Sequence, residues 1–142
     1  MTDKAISNET VIVFGASGFL GSHVADALSA AGYQVRLFDR SPSPYLKNNQ
    51  EMIVGDIMDL DQVIAATKGA SIVYNFAAIA DIDEAHNKPI ATATINVLGN
   101  MHVLEAARIA GARRFVFASS VYVYSESGSF YRASKQAAER FT

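Results

Sequence analysis

The sequence predicts an α/β fold, a doubly wound parallel sheet with strand order 3-2-1-4-5, and three observations carry that expectation. Short apolar runs rich in β-branched residues alternate along the chain with segments whose apolar residues recur at helical spacing. The first run, Val11 to Phe14, is stopped by "GASGFLG", which places glycines at 15, 18 and 21. The second run ends in an acid, Asp39. Strands this apolar are buried on both faces, and alternation with helices implies βαβ units joined by right-handed crossovers.

Composition narrows the class. A chain of 142 residues is long enough to bury one core. Half its residues are hydrophobic, 18% are charged and the net charge is -2, the balance of an ordinary globular protein without the basic excess that nucleic acid demands. With no cysteine, neither a disulfide framework nor a thiolate zinc site is possible. His23, His86 and His102 lack metal-ligand spacing, so no metal is expected. "MTDKAISNET" has no apolar h-region and no run is long enough to span a bilayer, so a cytoplasmic protein without membrane contact is expected.

The elements follow in order. Residues 1–10 are polar and expected to fray, leaving 11–142 as one domain. After the first strand, Leu20, Val24, Ala27, Leu28 and Ala31 keep a helical period until Gly32. "YQVRLFDR" is the second strand and "SPSPYLKNNQ" a loop. "EMIVGDI" makes the third strand, followed by a helix starting near Asp59 or Leu60, and "ASIVYNFAA" makes the fourth. A long helical region follows, with Pro89 near its start and Gly111 at its end. "ARRFVFASS" is the fifth strand and "YRASKQAAERF" opens a last helix. The whole is a Rossmann-type core.

The glycines point to a ligand. A diphosphate needs a helix N-terminus bare of side chains, so that backbone N–H groups and the positive end of the helix dipole can approach it. Gly21 additionally lets the helix lie close to the sheet. Gly-x-x-Gly-x-x-Gly is weak alone, since it can also mark a tight turn. Asp39 strengthens it, because a carboxylate there can accept from both adenosine ribose hydroxyls and repels a 2′-phosphate, favouring NAD over NADP. Arg40 works in the opposite sense. Asp56, ending the third strand, either accepts from the adenine amino group or forms a turn before the next helix.

Together "VFGASGFLGSHVADAL", "FDR", "GDI", "NFAA", "INVLGNMHVLEAARIAG", "FVFASSVYVY" and "YRASK" resemble the extended short-chain dehydrogenase/reductase family, in its NAD-dependent nucleotide-sugar epimerase/dehydratase branch. The resemblance implies NAD held by Gly15, Ser17, Gly18, Phe19, Leu20, Gly21, Asp39, Arg40, Asp56, Ile57, Phe76, Ala77, Ala78, Asn96 and Lys135. It also implies a catalytic set of Ser120, Tyr131 and Lys135. Oxidising a sugar carbinol requires a base for the hydroxyl proton, and a phenol with a pKa of about 10 is a poor one unless a cation lies close. Tyr131 and Lys135 stand one helical turn apart, and Ser120 would align the reacting oxygen. Ser119 is the competing hydroxyl, while Tyr122 and Tyr124 are expected to pack at the strand end or wall the pocket. Asn96 either orders the active site or serves helix packing.

The sequence also departs from the family. Asn75 replaces a frequent histidine, Ser125 replaces a glycine, and the connection from Ser120 to Tyr131 is short. Relatives continue into a further strand and a smaller substrate lobe, whereas this chain stops at Phe141-Thr142, so the C-terminal part of the family fold is expected to be missing. The resemblance further implies a nucleotide-sugar substrate and a homodimer formed through the helices around Ala91 to Ile109 and the last helix. An NAD-dependent reductase and a non-catalytic NAD-binding regulatory module are the alternatives.

Overall fold

The computed structural model describes residues 8–142. Parallel strands β1 (Thr10–Phe14), β2 (Gln34–Asp39), β3 (Gln50–Val54), β4 (Ile72–Asn75) and β5 (Arg114–Phe117) form one sheet in the order β3-β2-β1-β4-β5, as the alternation of elements predicts. In β1 the side chains alternate between two cores. Ile12 and Phe14 face helices α2 (Leu60–Thr67) and α5 (Asn100–Ala110) through Val63, Ala66, Val103 and Ala106. Val13 packs on the other face with Ala25 of α1 (Phe19–Ala30), Val35 and Leu37. Both faces are covered, which is why β1 reads as an unbroken apolar run.

The helix ends obey local chemistry. Asp59 caps α2, its side chain accepting from the Gln62 N–H, and Gly111 closes α5 in the left-handed region at φ 68°. The residues expected to fray divide in two. Residues 1–7 lie outside the described residues, whereas Thr10 opens β1, the Glu9 carbonyl accepts from Gln34 N–H, and the Glu9 carboxylate pairs with Arg113 at 2.7 Å.

The long helical region is broken into segments. Asp81 caps a short helix α3 (Ile82–Asn87), and Lys88, at φ -128° and ψ 61°, leaves helical geometry before Pro89 opens α4 (Pro89–Ala93). Proline lacks the N–H that a continuous helix would need at that point. A π-helical segment, Thr94–Gly99, then joins α4 to α5.

The fifth strand ends at Phe117, earlier than the sequence suggests. Ala118 N–H still reaches the Asn75 carbonyl, but the Ala118 carbonyl is taken by the Lys135 ammonium at 2.8 Å, and the chain leaves the sheet. Tyr122 and Tyr124 accordingly lie in a 3-10 turn, Val121–Tyr124, and α6 (Ser129–Phe141) follows. No helix among the described residues is long and apolar enough to cross a membrane.

Phe14 is fully buried, 4.9 Å from the Phe38 ring centroid. Phe14→Ala should lower unfolding free energy by about 3–5 kcal/mol, read from urea denaturation, because the cavity lies beneath the central strand.

Candidate active site

At the C-terminal edge of the sheet, a cleft of about 960 Å³ runs from the end of β2 to α6. Its middle is the turn between β1 and α1. Gly15 has φ +72°, and a Cβ there would lie 2.6 Å from Ala77 N, while a Cβ on Gly21 would lie 2.2 Å from the Gly15 carbonyl oxygen. Three pieces of backbone thus meet where only glycine fits. Gly18 precedes α1 without a side-chain cap, so the helix presents bare amides and its positive dipole end to the cleft. This cradle fits an anionic diphosphate.

Asp39 anchors the turn as well as lining the cleft. Its Oδ2 accepts from Ser17 N–H at 3.0 Å and its Oδ1 from Ser41 N–H at 3.4 Å. Arg40, Asp56 and Ile57 line the same end. Asp56 adopts the turn-forming role left open by the sequence, since Oδ1 accepts from Met58 N–H at 2.9 Å, and it still borders the cleft. His102 holds the Ile57 carbonyl at 3.0 Å.

At the opposite end the cleft is lined by Phe76, Ala77, Ala78, Ser119, Tyr131 and Lys135. Lys135 is only 4% exposed, and burial pushes its ammonium down to about 8. It lies 5.8 Å from the Tyr131 ring centroid and 4.8 Å from that of Phe117. Tyr131 is half-buried and makes an edge contact with Tyr122 at 6.2 Å. The i, i+4 spacing has therefore placed a cation and a phenol together.

Two expected residues do not line the cleft. Ser120 sits at the head of the 3-10 turn, where its Oγ accepts from Tyr122 N–H at 3.2 Å, while Ser119 borders the cleft and donates to Glu139. Asn96 is buried in the π segment. Its Oδ1 accepts from Ile79 N–H at 2.7 Å, and its Nδ2 donates to the Ile79 carbonyl and to Ser134 Oγ, which in turn donates to the Tyr131 carbonyl. Asn96 thus ties the segment after β4 to the helix that carries Tyr131 and Lys135. Glu84 and Lys88, paired at 3.0 Å, also line the cleft and were missed by the sequence reading. The signal was Asp81, whose capping of Glu84 N–H marks a separate helix start.

The NAD dependent epimerase/dehydratase family model matches residues 11–141. The chain belongs to that family. Among similar proteins, a UDP-glucose 4-epimerase of Rhizobium leguminosarum bv. trifolii is 34% identical over 128 residues, which cover 84% of this chain and 38% of the relative. A 3 beta-hydroxysteroid dehydrogenase/Delta 5-->4-isomerase of Mycobacterium tuberculosis is 35% identical over 130 residues, covering 84% and 34%. Among solved structures, MoeE5 in complex with UDP-glucose and NAD superposes with a TM-score of 0.84 at 32% identity, over 92% of this chain and 47% of that one. The Brucella ovis UDP-glucose 4-epimerase in complex with NAD gives 0.86 at 26% identity, over 94% and 46%. The chain therefore spans a third to a half of the length of these similar proteins.

Lys135 also makes stability depend on pH. Its folded pKa is lowered to about 8 from 10.5, so between those values the unfolded chain binds more protons and stability rises with pH. Lys135→Met lacks this contribution. Its stability relative to wild type should fall as pH is raised from 7 to above 10 in parallel chemical denaturation series, and a constant difference would contradict the buried ammonium.

Proposed function

We propose that the chain is the NAD-binding part of a nucleotide-sugar epimerase or dehydratase, with Tyr131 as acid/base. The observation that supports this most is that a helix N-terminus without a side-chain cap and the Tyr131–Lys135 pair share one cleft. NAD, when bound, supplies the acceptor and donor of a hydride. The first-turn amides of α1, from Phe19 to Gly21, would hold its diphosphate, with Ser17 and Gly18 shaping the turn through their own bonds to Asp39 and Gly15, and the Asp39 carboxylate would take the adenosine ribose hydroxyls and disfavour a 2′-phosphate. Tyr131, entering the oxidation step as phenolate next to the Lys135 cation, takes the proton of the sugar carbinol to become the phenol and gives it back when the carbonyl is reduced. Ser120 aligns the reacting oxygen. Its Oγ accepts from Tyr122 N–H, which leaves its own O–H to donate.

The substrate in this reading is a nucleotide-sugar, for which the UDP-glucose 4-epimerases and the UDP-glucose complex among the relatives are the support. A homodimer belongs to the same reading. Leu98, Met101 and Ile109 are exposed along the π segment and α5, an apolar face suited to a second copy. The position of Ser120 outside the cleft lining favours the second reading, a non-catalytic NAD-binding module.

In the full-length protein, Tyr131→Phe should reduce turnover of UDP-glucose by about 10²–10⁴-fold with NAD affinity unchanged, measured by product formation and calorimetric titration. Wild type that binds NAD without turning over any nucleotide-sugar would establish the module instead. A native mass spectrum should show a dimer with retained nucleotide, and a bare monomer would remove both the dimer and the tightly held cofactor.

A further inference from the structure

Two buried asparagines have no part in the roles above. Asn75 ends β4 and Asn100 opens α5, and each is 1% exposed. Asn75 Nδ2 donates to Asn100 Oδ1 at 2.8 Å, and Asn75 Oδ1 accepts from Ala77 N–H at 3.1 Å. Asn100 Nδ2 reaches Thr142 Oγ1 at 3.4 Å. The Ala77 N–H is a donor, so only the oxygen of Asn75 can face it. Its amide nitrogen must then face Asn100, which has to answer with an oxygen. The three groups are therefore matched donor to acceptor, and the Asn100 oxygen holds the Asn75 carboxamide in the one orientation that serves the main chain of Ala77.

That main chain is the surface against which Gly15 packs so closely that no Cβ fits, and Phe76, Ala77 and Ala78 line the cleft. Phe76 N–H still bonds the Phe14 carbonyl, so Ala77 is where the chain turns away from the sheet. We propose that Asn100 is a positioning residue. By orienting the Asn75 carboxamide it fixes the turn from Phe76 to Ala78 against the glycine turn and thereby sets the floor of the cleft on which NAD rests. This inference builds on the NAD-binding reading above, but the fixing of the turn can be measured without any ligand.

The test compares Asn100→Leu, which removes the oxygen, with Asn100→Asp, which keeps it. Hydrogen exchange at single amides is followed by NMR in the free protein, and NAD and AMP are titrated separately. In Asn100→Leu the Ala77 amide should exchange about tenfold faster, while the amides of Val13 and Val73 remain as protected as in wild type. NAD should bind about tenfold more weakly, and AMP, which needs only the Asp39 end of the cleft, unchanged. Asn100→Asp should keep the protection of Ala77 and the affinity for NAD.

Unchanged Ala77 exchange in Asn100→Leu overturns the proposal, as does an equal loss of NAD and AMP in both variants, which would mark a merely structural role. Should wild type fail to bind NAD, the cofactor reading falls, while the exchange of Ala77 still decides whether Asn100 fixes the turn. If Asn100→Leu does not fold, Asn100→Ala removes the oxygen without adding bulk and carries the same comparison.

Discussion

A close approach of three backbone segments governs the cleft. Gly15, Gly21 and Ala77 come together so tightly that no Cβ fits at either glycine. This contact lets α1 start directly over the end of β1 and lets the segment after β4 lie beside it. Two further restraints close the arrangement. Gly15 N–H bonds the Phe38 carbonyl, and Ser17 N–H bonds the Asp39 carboxylate, so the neighbouring strand β2 holds the turn from its other side. Asp39 thus does structural work before any ligand arrives.

The opposite end of the cleft rests on a different principle, a charge kept in a dry place. Lys135 is buried against Phe117 and the Tyr131 ring, and its hydrogen bond goes to the Ala118 carbonyl. Burying a cation with a neutral acceptor is unfavourable, and the lowered pKa expresses that cost. The same bond sits where the chain leaves β5 for the 3-10 turn. One side chain therefore contributes to the electrostatics of the site and is bonded to the backbone where that backbone turns.

The sheet order, the glycine turn and the Tyr131–Lys135 pair were legible because each rests on local chemistry: apolar runs, positive φ and helical spacing. What escaped the reading depends on tertiary partners. β5 stops at Phe117, where its partner β4 ends at Asn75 and the next carbonyl, that of Ala118, accepts from a lysine of α6, and no local pattern in "ARRFVFASS" announces this. Ser119 borders the cleft while Ser120 heads the 3-10 turn, an arrangement that depends on the same tertiary setting. The break before Pro89 was half legible, since the proline was recognised but the short helix capped by Asp81 was not.

The π-helical segment has a consequence for how this helix is wired. Asn96 lies within it and Asn100 directly after it, and in the dry interior they serve different clients: Asn96 binds Ile79 and Ser134, Asn100 binds Asn75 and Thr142. A widened turn changes the angular phase between residues four apart, which a regular helix would stack on one face. The helix thus works as a phase shifter that sends two amides to two separate addresses. Deleting a single residue between them would turn one address away by about 100°, leaving a helix of ordinary appearance with its internal connections crossed.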